Sequence, residues 1–196
     1  MKPAIFIAFF TGQSDLENNA LSPAQAAFLA RLGGPGRELA QVNFPYAAPP
    51  PRPHRRMSLP RASWNNFRQY FSSRGARFPA KHRAAAVMFI ERAGRAVFLA
   101  GSCGLELFNN LRLPEELEAR CTLICYGPVA RRRPARARIL VAQGRGDWLS
   151  RALFRRGAGL QLRGGHMDYL DDPEFLLFCQ RQIAQLETAS CSNTFA

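Results

Sequence analysis

Apolar residues follow two patterns along this chain. Some form short unbroken runs and others form stripes at helical spacing. Residues 4–10 are an unbroken run, the mark of a strand covered on both faces, 96–100 read as a second buried strand and 121–126 as a third strand. Residues 137–142 and 160–163 read as further strands, and 38–44 as a weaker one. Between them, 22–32, 63–73, 79–93, 105–111, 148–156 and 173–187 read as helices. Ser22 suits an N-cap with Pro23 in the first helical position, and Gly33-Gly34 stops that helix. In 79–93, Val87, Met88 and Ile90 are the expected core contacts. The stretch from Pro45 to Pro60, rich in Pro and Arg, reads as loop. Strands that alternate with helices predict an α/β fold, a mostly parallel sheet with helices on both faces and right-handed crossovers.

At 196 residues the chain suits one domain, expected over 1–187 with a Pro/Arg-rich loop at 47–62 and a flexible polar tail at 188–196. No apolar run is long enough to span a membrane. The apolar start reads as a buried strand rather than a signal peptide. It holds the single Lys2, and no small-x-small cleavage site precedes the polar residues 13–17. Cys103, Cys121, Cys125, Cys179 and Cys191 are odd in number and scattered, with no Cys-x-x-Cys pair. They suggest neither a metal site nor a disulfide framework, so a cytoplasmic location is expected. Cys121 and Cys125 lie on one face of their strand and read as core hydrophobes.

Basic residues outnumber acidic ones 27 to 14, for a net charge of +13. Such charge raises nucleic-acid binding as a function. Nearly all of it is Arg, in an Ala-, Pro- and Gly-rich chain of the kind that GC-rich codon usage produces. No helix-turn-helix, RNP-like motif or zinc finger accompanies it. The clusters at Arg55-Arg56, Arg131-Arg132-Arg133 and Arg155-Arg156 are therefore weighed as a surface for an anionic handle.

In open parallel sheets, functional residues gather beyond the carboxyl ends of strands. Three such ends carry chemistry here. Ala100-Gly101-Ser102-Cys103-Gly104 joins a strand to a helix and fits a nucleophile elbow. The residues two places either side of the nucleophile must be small for strand and helix to approach. Centring on Ser102 places Ala100 and Gly104 there, whereas centring on Cys103 places the bulky Leu105, so Ser102 is the expected nucleophile. Asp147 follows the strand at 137–142, and His166 follows the one at 160–163. Ser, Asp and His in that order suit a nucleophile, an orienting acid and a general base. His54 and His82 follow no strand. Oxyanion donors are expected from the backbone N–H groups of Cys103 and Gln13, with Thr11 and Gly12 beside the substrate.

On the motifs 100–104, Gly144-Arg145-Gly146-Asp147 and Gly165-His166, supported by Thr11-Gly12-Gln13, the chain resembles a small member of the α/β-hydrolase superfamily. The resemblance covers about 4–187 and departs from the pattern at Thr11 and Ala100. It implies six strands in the order 2-1-3-4-5-6. It also implies a serine esterase or thioesterase that needs no cofactor or metal and works through an acyl-enzyme. The preferred substrate is an acyl thioester or ester carried on coenzyme A or an acidic acyl carrier protein. The alternatives are acyl transfer or cyclisation by the same residues, or a non-catalytic binding protein of this fold. Segment 47–62 is the expected cover for the site.

Each residue also has a plainer reading. Ser102 suits a turn, Asp147 a helix N-cap compatible with a catalytic role, and His166 a loop. Glu106, Asn109 and Asn110 read as helix-surface residues, and Asp168 as a solvated loop residue.

Overall fold

The structure, a computed structural model, describes residues 5–16, 18–46, 54, 57–155 and 157–192. Six strands form one sheet: β1 (Ile5–Phe9), β2 (Arg37–Leu39), β3 (Arg95–Gly101), β4 (Cys121–Tyr126), β5 (Arg138–Gly144) and β6 (Leu160–Leu162). Every pair is parallel, and the order is β2-β1-β3-β4-β5-β6, as expected. The central strands are β1, β3 and β4, in which nearly every residue is buried. Alternate side chains feed two cores, as the strand period requires. Ile7, Phe9, Val97, Leu99 and Ile124 pack against α1 (Pro23–Ala30) and α7 (Pro173–Ser192). Phe6, Phe10, Phe98, Leu123 and Cys125 pack on the other face with α3 (Arg77–Arg92) and α4 (Gly104–Asn110). Cys121 lies in the same core as Cys125.

Helix α1 starts with a reciprocal capping box. The Gln25 N–H donates to the Ser22 hydroxyl, and the Ser22 N–H donates to the Gln25 side chain. In α3 the buried residues are Phe78, His82, Ala86 and Ile90, while Met88 is exposed, contrary to expectation. Two short elements complete the connections: α5 (Glu115–Glu118), which sequence patterning missed, and α6 (Trp148–Leu153). Among the described residues, no helix is long and apolar enough to cross a membrane.

Three further expectations need correction. The strand expected at 38–44 is ladder-paired only over Arg37–Leu39. Beyond it the chain leaves the ladder to serve the loop after β1, and Asn43 bonds to that loop through both side-chain groups. Helix α2 runs over Leu59–Ser72 and so starts inside the segment read as loop. Pro60 falls in its first turn, where its missing N–H costs nothing. Helix α7 runs on through 188–192, part of the expected flexible tail, because no Gly or Pro interrupts it there. Residues 47–53, 55 and 56 lie outside the described residues, and with them most of the expected cover at 47–62.

Candidate active site

Ser102 stands between β3 and α4 with φ +50°, a left-handed conformation that non-glycine residues adopt rarely. Its N–H donates to the Tyr126 carbonyl and its own carbonyl accepts from the Val129 N–H, so β4 and the following loop hold the turn. Gly104 is required for close approach, because a Cβ there would collide with the Phe10 carbonyl oxygen at the end of β1. The tightness expected from the spacing of small residues around Ser102 is therefore present.

Asp147 follows β5, and its side chain is shielded completely from solvent. Its carboxylate accepts the Ser150 N–H at 2.9 Å, which makes it the N-cap of α6. It also accepts the Tyr169 hydroxyl at 2.6 Å and faces His166 Nδ1 at 2.9 and 3.0 Å. With the Nδ1 proton donated to Asp147, the other ring nitrogen is an acceptor, and Nε2 lies 3.2 Å from Ser102 Oγ. The hydrogen-bonded chain thus runs from a buried carboxylate through a part-exposed imidazole to a hydroxyl. Such a chain can draw the hydroxyl proton onto the imidazole as the oxygen attacks an electrophile.

No family model matches the chain, and no curated protein matches it. The chemistry of the site therefore rests on its own geometry.

Two groups that sequence reasoning missed complete the acid end. Tyr169 donates to Asp147 and accepts the Gly144 N–H at 2.8 Å, so it ties the carboxylate to the end of β5. Burial, and then the bond to Asp147, pushes the Tyr169 hydroxyl far above the ordinary tyrosine range, so it remains a donor. Gly127, with φ +52°, lies under the pair. A Cβ there would stand 2.7 Å from Asp147 Oδ2 and 3.2 Å from His166 Nδ1. Asp168 accepts the Gly165 N–H at 2.6 Å and closes the turn that carries His166. The readable signals were a buried aromatic three places after His166 and a glycine at the end of β4.

The oxyanion side is arranged differently. Cys103 is buried at the start of α4, where the backbone N–H groups of Cys103 itself and of Gly12 face its thiol sulfur. Burial pushes its thiol up to about 12, which leaves it a protonated neighbour rather than a nucleophile. The Gln13 N–H is not free, however. It donates to the side-chain carbonyl of Gln69 at 2.7 Å, and the Gln69 amide donates back to the Gln13 side chain at 3.2 Å. The expected donor is thus engaged by α2, because α2 lies over the 11–14 loop rather than away from it. Asn65 of the same helix donates to the Ser14 carbonyl at 2.7 Å. Asn66 Oδ1 is buried without a hydrogen-bond partner, next to where a Cβ on Gly12 would sit.

Thr11 and Gly12 do lie beside the elbow, but Thr11 spends its polar groups internally. Its N–H donates to Asn43 Oδ1, its hydroxyl donates to the Gly12 carbonyl, and its carbonyl accepts the Tyr46 hydroxyl at 3.0 Å.

Helix α4 is buried along its whole length, so Glu106, Asn109 and Asn110 are not surface residues as expected. Glu106 accepts the Arg131 N–H and guanidinium at 3.0 and 2.8 Å and pairs more distantly with Arg74. Burial works to raise its carboxyl, but the Arg131 backbone and side chain and then Arg74 outweigh it and hold the group below the ordinary range. Asn110 donates to Ser73 Oγ and Asn109 to the Arg132 carbonyl. Two surface depressions, of about 560 Å³ along α3 (Pro79, Ala84, Val87, Met88) and about 290 Å³ near Gln143 and Arg151, have no described lining residue from the Ser102–His166–Asp147 set. Among the described residues no group of three or more His, Cys, Asp or Glu is placed to hold a metal ion.

Proposed function

We propose that the protein is a serine hydrolase of the α/β-hydrolase kind that cleaves an ester or thioester. The observation that carries this reading is the continuous Asp147–His166–Ser102 hydrogen-bond chain, anchored on a strained elbow. In this mechanism His166 Nε2 takes the Ser102 proton as Oγ attacks the acyl carbon. Asp147 stabilises the imidazolium that forms, and His166 returns the proton to the departing alcohol or thiol. Water, deprotonated by the same imidazole, then releases the acid. The Cys103 N–H supplies one oxyanion donor, and the Gln13 N–H supplies the second once it is free of Gln69.

An anionic handle such as coenzyme A or an acidic carrier protein draws less support from the 131–136 cluster than its charge suggests. Arg131 is paired with Glu106 and Arg136 with Glu115. The test is a panel of p-nitrophenyl esters, acyl-coenzyme A thioesters and acyl carrier protein substrates, run with wild type and Ser102→Ala. Cleavage of at least one class that vanishes in the variant supports the reading. Cleavage unaffected by the variant contradicts it. Product analysis with an added amine or alcohol acceptor separates hydrolysis from acyl transfer.

A further inference from the structure

Helix α2 is amphipathic in the wrong sense for a helix that merely packs on a core. Its inner side is polar: Asn65, Gln69 and Ser73 bond to Ser14, Gln13 and Asn110. Its outer side is aromatic. Trp64 is 60 % exposed, Phe67 54 % and Phe71 47 %. Trp64 stacks on Phe67 at 5.8 Å and Phe67 meets Phe71 at 4.6 Å, so the three rings form one continuous strip. Folding normally buries such rings, and a strip of this size left in water calls for an apolar counterpart.

Charge identifies the counterpart. Arg61 and Arg68 alternate with Trp64 and Phe71 along one exposed ridge at i, i+3, i+7 and i+10. From Met57 to Ile90 the chain has no Asp or Glu. Among the described residues Arg61 and Arg68 form no ion pair; nor do Arg77, Lys81 and Arg83 of the next helix. The 131–136 loop shows the opposite arrangement, with acidic partners supplied by Glu106 and Glu115. Exposed Trp and Phe flanked by unpaired Arg on one helix face match the apolar layer and anionic headgroups of a lipid surface, which takes up the rings and the charges together.

We propose that α2 docks the protein onto an anionic lipid surface, with Trp64, Phe67 and Phe71 entering the headgroup boundary and Arg61 and Arg68 meeting the headgroups. Docking there lies directly over the loop that flanks Ser102, because the inner side of the same helix holds Gln13 and Ser14. It needs no ester cleavage, so it stands or falls apart from the hydrolase reading.

The test uses the Ser102→Ala, Trp148→Phe protein, in which Trp64 is the remaining one of two tryptophans. Sedimentation with vesicles of phosphatidylglycerol in phosphatidylcholine is compared with phosphatidylcholine alone. The expected result is binding to the anionic vesicles that weakens with salt, with a blue shift of Trp64 emission. Trp64→Ala with Phe67→Ala should weaken sedimentation roughly tenfold or more. Arg61→Gln with Arg68→Gln should weaken it about 25-fold, at about fivefold per charge. All four side chains are exposed, and circular dichroism checks that each variant is folded. No binding to anionic vesicles, binding with Trp64 emission unshifted, or binding indifferent to these variants overturns the proposal. So does a Trp64 shift produced by an acidic carrier protein and not by vesicles, which would make the strip a protein dock.

Discussion

The two halves of the candidate site are in different states of readiness. At the acid–base end every polar group is satisfied. Asp147 accepts from Ser150, Tyr169 and His166, and His166 reaches Ser102. At the oxyanion end the second donor is taken by Gln69, and Asn66 Oδ1 is buried without a partner. The difference follows from what holds each half. The acid–base end is built from loops that leave β4, β5 and β6 and closes on itself through Tyr169 and Gly127. The oxyanion end is a loop shared with α2, whose inner contacts are polar and can exchange partners at little net cost. Buried, fully paired networks hold their geometry, whereas helices tied down by amides can shift.

Asp147→Asn should break the acid–base end most severely. It keeps the N-cap contact but removes the charge that orients His166, and kcat for any ester substrate should fall about ten-thousandfold. A loss below tenfold would detach Asp147 from the chemistry. Acid should instead strike the oxyanion end. His82 packs on Tyr46 at 5.3 Å, and Tyr46 holds the Thr11 carbonyl. Burial, and then Lys81, lowers the His82 imidazole to about 4. The unfolded chain therefore takes up this proton first, near pH 6.5. The contribution of neutral His82 is complete above that pH and is lost as pH falls towards 4, at a cost of up to roughly 3 kcal/mol. Urea titrations from pH 7 to 4 should show the decline, and His82→Asn should flatten it.

Tyr169→Phe should cost about 1–3 kcal/mol of stability, because Asp147 loses a donor and the Gly144 N–H loses its acceptor. It should also lower kcat by about tenfold through a misplaced carboxylate, with KM nearly unchanged. An unchanged kcat would leave Tyr169 a purely structural residue. The smallest effect is expected at Gln69→Leu. Release of the Gln13 N–H saves the net worth of one hydrogen bond, so kcat on a small soluble ester should rise about threefold. A fall of tenfold or more would show instead that Gln69 holds the loop in its working shape.

The same contrast explains what could be read without coordinates. The central strands were legible because burial on both faces makes them almost wholly apolar, as in 96–100. Ser102, Asp147 and His166 were legible as candidates because each follows a segment that reads as a strand. The acid–base end depends on few other residues, and only Tyr169 and Gly127 escaped. The oxyanion end depends on contacts distant in sequence, Gln13 with Gln69 and Thr11 with Asn43, which no local pattern signals. Pro60 disguised the start of α2, since the same residue opens helices and ends them. Glu106 was placed on the surface because a carboxylate usually is; Arg131, distant along the chain, is what makes its burial tolerable.

The central claim is that Ser102 is a nucleophile activated by His166. Incubation of the folded protein with a fluorophosphonate, followed by intact-mass and peptide mass spectrometry, tests it most directly. The account predicts one adduct per chain, on Ser102, that is absent in Ser102→Ala and forms far more slowly in His166→Ala. No adduct on folded wild-type protein, or labelling that persists in Ser102→Ala, would contradict it.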